Sequence, residues 1–138
     1  GGIGNAVFRA TGSRPGESAP RATGRIGTVP VPAGVKPQTG PFGDYMHDVI
    51  AKWLMHRYPG VFRVRIGVGR NGVDIEVIRP ADVRRLGFKF AEIKPRTISG
   101  ENTFNAQVAR WDLSNAWRTR YKVRVFTYDQ YGNIYDGF

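Results

Sequence analysis

Asp74 and the run Glu92-Ile93-Lys94 are the residues of this chain whose types and spacing can do chemistry. Both stand in stretches that alternate like strands, Val73-Asp74-Ile75-Glu76-Val77-Ile78 and Phe88-Lys89-Phe90-Ala91-Glu92-Ile93-Lys94. Successive strand side chains point to opposite faces, so Glu92 and Lys94 share one. An acid and an ammonium on one face, joined by a second acid from a neighbouring strand, form a metal-and-water site for cutting a phosphodiester. Phe88 and Phe90 lie on the same face, so an apolar surface runs into two charges, and such charges need partners or a metal.

Phosphodiester hydrolysis needs an activated water, relief of charge on the phosphate and help for the leaving oxygen. A divalent ion polarises the phosphoryl oxygen and lowers the pKa of bound water. Hard oxygen ligands select Mg²⁺ or Mn²⁺, and Mg²⁺ commonly takes one or two carboxylates and keeps several waters. Asp74 and Glu92 suit that role, with the Ile93 backbone carbonyl a third candidate ligand. Lys94 has several roles open to it: orienting the attacking water, accepting its proton, or staying charged against the pentavalent phosphate.

The elements that must position these groups follow from the same pattern. Met46, Val49, Ile50, Trp53 and Leu54 recur at helical spacing and predict a first helix over Gly43–Arg57, with Asp44 in its first turn and Tyr58-Pro59-Gly60 as its stop. Strands are expected at Phe62–Val68, Val73–Ile78, Phe88–Lys94 and Lys122–Tyr128, with a short edge strand at Asn133–Tyr135. Pro80–Gly87 reads as a connector with room for one helical turn, and a second helix is expected from Asn102 to Arg120. Helix, strand, strand, strand, helix, strand is the order of an α/β sandwich, a mixed central sheet flanked by helices.

Asn71-Gly72 is a strong hairpin signal, since a type I′ turn needs positive φ at both positions. With those two residues as the turn, Val68 faces Ile75 and Ile66 faces Val77 on one surface. The other surface then carries Asp74 and Glu76 opposite Gly69 and Gly67, with Arg65 and Arg63 further along. Strand glycines leave room for another backbone, and a phosphate chain would fit there.

Charge points the same way. Lys and Arg number 21 against 11 Asp and Glu, a formal net charge of +10, and such an excess suits a polyanion such as nucleic acid. Arg63, Arg65, Arg70, Lys89, Arg96 and Arg110 are the candidate phosphate contacts. The absence of Cys excludes disulfides, zinc–thiolate sites and thiol nucleophiles. No apolar run reaches the ~20 residues of a membrane span. Residues 1–40 hold nine of the 18 Gly and five of the nine Pro, which predicts a linker or extended arm before a domain over 41–138. Val29-Pro30-Val31-Pro32 could lie extended along that body, and a start of Gly1-Gly2-Ile3-Gly4 reads as a piece of a longer protein.

These residues resemble the PD-(D/E)XK nucleases, the restriction-endonuclease-like superfamily, over about Gly43–Tyr128. Asp74 after a hairpin matches that family's first acid, and Glu92-Ile93-Lys94 matches its (D/E)-X-K; Val73 stands where the family name has proline. Some branches place a Gln-X-X-X-Tyr pattern on the second helix, and Gln107 followed by Trp111 has that spacing. The resemblance implies that Gln107 binds the attacking water or a phosphate. It also implies an acid on the first helix, for which Asp44, Asp48 and His47 are candidates, while Glu76 is an additional candidate beside Asp74. A compact basic domain behind a Gly/Pro-rich lead-in is similar to the toxin domains of bacterial polymorphic toxins and type VI effectors. That likeness implies a Mg²⁺-dependent endodeoxyribonuclease, secreted or injected to act on DNA in the cytoplasm of a target cell and blocked by an acidic immunity protein. Other readings of the same residues are a basic module that binds nucleic acid without cutting it, a metal-independent ribonuclease using His47 or His56, and an interaction domain whose Arg excess is incidental.

Overall fold

Two helices and a parallel pair of strands hold the acids where they are. The computed structural model describes residues 24–65, 74–114 and 123–138. Its elements in chain order are β1 (Arg25–Thr28), α1 (Gly40–Arg57), β2 (Phe62–Val64), β3 (Ile75–Val77), α2 (Pro80–Leu86), β4 (Phe90–Pro95), α3 (Ile98–Ser114), β5 (Arg124–Tyr128) and β6 (Asn133–Asp136). The strands form one six-stranded sheet in the order β1-β6-β5-β4-β3-β2. β4 and β5 run parallel and every other neighbour pair is antiparallel. The fold is thus mixed α/β, as expected. Parallel neighbours require a crossover connection, and α3 lies within it. Among the described residues no helix is long and apolar enough to cross a membrane.

Helix starts differ from the expected ones because caps decide them. Thr39 Oγ1 accepts from the Phe42 N–H at 3.4 Å and Pro41 sits in the first turn, so α1 begins at Gly40. Asp44 consequently falls beyond the first turn, which holds no acid. α3 begins at Ile98 rather than Asn102, because Thr97 Oγ1 accepts from the Gly100 N–H at 2.9 Å. Gly100 is required there: a β-carbon would run into the Pro95 carbonyl. The expected continuation of this helix to Arg120 lies outside the described residues. The Pro80–Gly87 connector is a two-turn helix, α2, closed by Gly87 at φ 86°.

The sheet's two faces are built differently. Phe42, Met46, Ile50, Ala51 and Leu54 of α1 pack on Phe62, Ile75, Val77, Ala91, Ile93, Phe126, Tyr128 and Ile134. Tyr58, Phe62, Phe88 and Phe126 form a chain of ring contacts at 6.0, 6.5 and 6.4 Å through this core. On the opposite face Phe90 packs against Val108 of α3, and by strand alternation Glu92 and Lys94 follow it there.

That aromatic chain corrects the hairpin register. Phe62 pairs with Val77, Arg63 with Glu76 and Val64 with Ile75, where Ile66 and Val68 were expected opposite Val77 and Ile75. The offset of four residues is even, so the faces of Asp74 and Glu76 are kept. Their neighbours change, however: Arg63 stands opposite Glu76, and the Arg65 N–H bonds the Asp74 carbonyl at 2.6 Å. The glycines expected opposite the acids, and the Asn71-Gly72 turn itself, lie outside the described residues.

The arm ahead of residue 41 contains a strand of the sheet. β1 pairs with β6, joining Arg25 to Tyr135 and Gly27 to Ile134, and the indole of Trp53 lies where a side chain on Gly27 would go. Val29 is buried and donates to the Gly132 carbonyl at 2.9 Å. β6, expected as an edge, is therefore flanked on both sides, by β1 and β5.

Candidate active site at the divergence of β3 and β4

The β3–β4 pairing reads Glu76 with Phe90 and Ile75 with Ala91. Beyond it, Asp74 turns its side chain into the gap and Oδ2 accepts the Ile93 N–H at 2.8 Å. The Asp74 N–H in turn donates to Glu92 Oε1 at 3.2 Å. Lys94 Nζ lies 3.8 Å from Glu92 Oε2. Asp74, Glu92 and Lys94 thus meet at one place, the arrangement expected from strand alternation. In an extended strand the N–H and C=O of one residue point to the same edge. The Ile93 carbonyl, the expected third ligand, is therefore aimed toward the same gap as its N–H.

Electrostatics set Glu92 apart. It is 3% exposed. Burial first, and then the charge of Asp74, raise its pKa from the ordinary 4.5 to about 8, against the opposing pull of Lys94. The other buried acids among the described residues have guanidinium partners. Asp82 is held by Arg79 at 3.0 Å and Arg85 at 2.6 Å, and Asp136 by Arg124 at 3.3 Å. Among the described residues Glu92 has a lysine at 3.8 Å and a second acid instead.

Of the first-helix candidates, His47 is the one brought to the acids. Its Nδ1 lies 2.7 Å from the Gly43 carbonyl, which can only accept, so Nδ1 carries the proton. Nε2 is left facing Asp74 Oδ2 at 3.9 Å. The ring stands edge-on to Tyr128, with centroids 6.0 Å apart. Asp48 faces solvent in a pair with Lys52 at 2.9 Å. Asp44 is exposed and lines a cavity of about 650 Å³ that His47 and Tyr128 also line. His56 is exposed nine residues along α1 from His47, about 13 Å away by helical rise, so the two histidines do not form a joint acid–base pair.

The remaining predicted residues divide. Gln107 Oε1 is buried and has no hydrogen-bond partner among the described residues. Gln107 neighbours Val108, which covers Phe90 on the face of Glu92 and Lys94; the Trp111 side chain lies outside the described residues. Glu76 belongs to a different cluster: Arg65 reaches it at 2.9 Å and Lys89 at 3.4 Å. Burial pushes Glu76 up, but these two cations outweigh it and its pKa is lowered. Arg65 and Lys89 are accordingly engaged within the sheet rather than held free for phosphate. Arg96 donates to Thr127 Oγ1 at 3.2 Å and the Gly137 carbonyl at 2.9 Å, and stacks on Tyr135. Arg63 and Arg110 are exposed, and Arg70 lies outside the described residues.

Sequence reasoning passed over Tyr128. Burial, then Asp44 and Asp74, push its hydroxyl up to about 12, so it is a neutral phenol in the cavity wall beside His47. Its only sequence signal was a place at the carboxyl end of a strand, where α/β sheets bind ligands.

Asp74 and Glu92 are the residues able to hold a cation. No three His, Asp or Glu side chains among the described residues gather as a ready-made cage. Mg²⁺ does not demand one, since two carboxylates with retained water suffice. The donor set therefore fits a hard divalent ion. No protein-family model, curated protein or solved structure matches this chain.

Proposed function

We propose that the chain is a metal-dependent nuclease that hydrolyses phosphodiester bonds of DNA. The observation that carries this reading is Glu92: a buried carboxyl set against a second carboxyl, with one lysine at 3.8 Å where the other buried acids have arginine. An apolar pair would serve a purely structural role at least as well, since removing buried charge is often neutral or stabilising. Kept as it is, the cluster lacks positive charge that a divalent cation supplies.

Asp74 and Glu92 hold that cation, Mg²⁺ or Mn²⁺, which when bound polarises the phosphoryl oxygen and acidifies water. The Ile93 N–H on Asp74 fixes the direction of the carboxylate. Lys94 presents its ammonium from the same face and steadies charge developing on the phosphate. His47 Nε2 and Asp74 Oδ2 are two acceptors 3.9 Å apart; a water between them would be oriented by both. Gln107 offers a buried amide oxygen on the helix over the same face. A net charge of +10 draws a polyanion toward the site. In the biological setting implied by the toxin resemblance, the same charge suits an acidic inhibitor.

The test is supercoiled plasmid with Mg²⁺, with and without chelator, for the parent chain and Glu92→Ala. Nicked and linear DNA should form with the parent alone and only in the presence of metal. A folded parent that binds plasmid but leaves it intact under Mg²⁺ and Mn²⁺ would be a binding module. Cleavage of RNA in its place would move the substrate and keep the site.

A further inference from the structure

The cavity beside the acids has no part in the chemistry above. It lies beyond the carboxyl ends of the parallel strands β4 and β5 and is lined by the first residues of α1 and α3. Its volume of about 650 Å³ is within the range of small-molecule sites. His47 belongs to both places: it lines the cavity, and its Nε2 faces Asp74. A group held here is therefore adjacent to whatever is held at Asp74 and Glu92.

The walls suit a planar heterocycle better than a phosphate. The guanidinium of Arg96 is committed to Thr127, Gly137 and Tyr135, while Asp44 places an exposed carboxylate at the wall. Tyr128 contributes a neutral phenol. Tyr131 stands at the rim with 73% of its surface exposed. Its backbone is held firmly, because Asp129 Oδ1 accepts from the N–H groups of Tyr131 at 2.9 Å and Asn133 at 3.0 Å. A rigid turn carrying an exposed ring is a stacking platform, and a carboxylate beside it can accept from an exocyclic amine.

We propose that this cavity receives one unstacked nucleobase of the strand being cut, so that single-stranded or locally opened nucleic acid is the preferred substrate. The inference rests on the nuclease reading for the word "cut", but the pocket can be tested without cleavage. A paired base cannot enter such a recess without leaving its stack, and the cost is least where no pairing exists.

The decisive experiment is an NMR titration of the full chain in EDTA with dAMP and, separately, with base-free 2-deoxyribose 5-phosphate. Expected are shifts of the Ser99, Gln130 and Tyr131 amides with dAMP alone. Tyr131→Ala, an exposed change that should leave the fold intact, should weaken dAMP at least about fivefold, as loss of base stacking does. Equal shifts with the base-free sugar, or none with millimolar dAMP, overturn the pocket. In the cleavage arm, with Mg²⁺, a single-stranded oligonucleotide should be cut at least about tenfold faster than its duplex; equal rates also overturn it. A chain that binds dAMP here but cuts nothing defeats the nuclease reading alone. One that cuts plasmid yet ignores dAMP defeats the pocket alone.

Discussion

Glu76 and Glu92 are carboxylates on neighbouring strands and on one face of the sheet, yet they are treated in opposite ways. Glu76 is met by Arg65 and Lys89, and its pKa is lowered. Glu92 is more deeply buried, faces Asp74, has Lys94 as its one cation among the described residues, and is raised to about 8. The first is an acid whose charge the fold has already answered. The second is an acid that burial and Asp74 keep protonated, so it takes up charge only when something else is there to answer it. Buried charge is a poor way to gain stability, so an unanswered one is the better guide to function.

The largest expected difference comes from removing each cluster's charge in turn. Asp74→Asn keeps an oxygen for the Ile93 N–H and should fold, yet should lose about 10³-fold or more in plasmid cleavage, the scale of losing a preorganised electrostatic group. Glu76→Gln should leave the cleavage rate within about threefold. Equal losses in the two variants would abolish the distinction between the clusters.

A smaller loss is expected at the residue that touches the acids without being one of them. His47→Ala should reduce cleavage by about 10- to 100-fold, as removal of a group orienting a metal site does. His56→Ala should have no effect on rate. The His47 loss should appear in kcat rather than KM.

Stability against pH separates the two glutamates without any substrate. In chelator, the folded chain keeps a proton on Glu92 between about pH 4.5 and 8 that the unfolded chain has released. Stability from this group is therefore fullest below that window and declines as pH rises through it. The midpoint of thermal unfolding should fall by about 5 °C or more from pH 5 to pH 8. Glu92→Gln should flatten the decline, and added Mg²⁺ should restore stability most at pH 8. Glu76 has the opposite sign, its lowered pKa giving stability that is present at neutral pH and lost on acidification. Glu76→Gln should accordingly cost only about 1 kcal/mol at pH 7, since Arg65 is partly exposed.

The convergence of Asp74, Glu92 and Lys94 was legible in the sequence because strand alternation is strict. Once Phe90, Glu92 and Lys94 are placed on a strand, they must share a face, and Asp74 needs only an adjacent strand to join them. Phe88, expected on that face too, precedes β4 and packs in the α1 core instead. What could not be read was set by distant contacts. Asn71-Gly72 is a strong local signal, but the position of β2 against β3 follows Phe62, whose ring packs on Tyr58 and Phe88 from other elements. Nor could it be read that Arg65 and Lys89, both candidate phosphate contacts, converge on Glu76, because residue type does not reveal a cross-strand partner. His47 was a candidate without a preference over Asp44 or Asp48; only the Gly43 carbonyl, which holds Nδ1, shows which way its ring is turned. β1 carried no signal at all in a Gly- and Pro-rich stretch, since four residues become a strand only when β6 is beside them.

That last strand has a consequence for how the molecule assembles. Arg25 and Asn133, which touch across β1 and β6, are 108 residues apart in the chain. Closing so long a loop is entropically slow, while the β5–β6 hairpin can form from local contacts. Docking of β1 is thus expected to be the final event of folding and the earliest to reverse. Because the Trp53 indole lies directly against Gly27, its emission, read with Trp111 and Trp117 replaced by Phe, should report that event separately from the formation of the body.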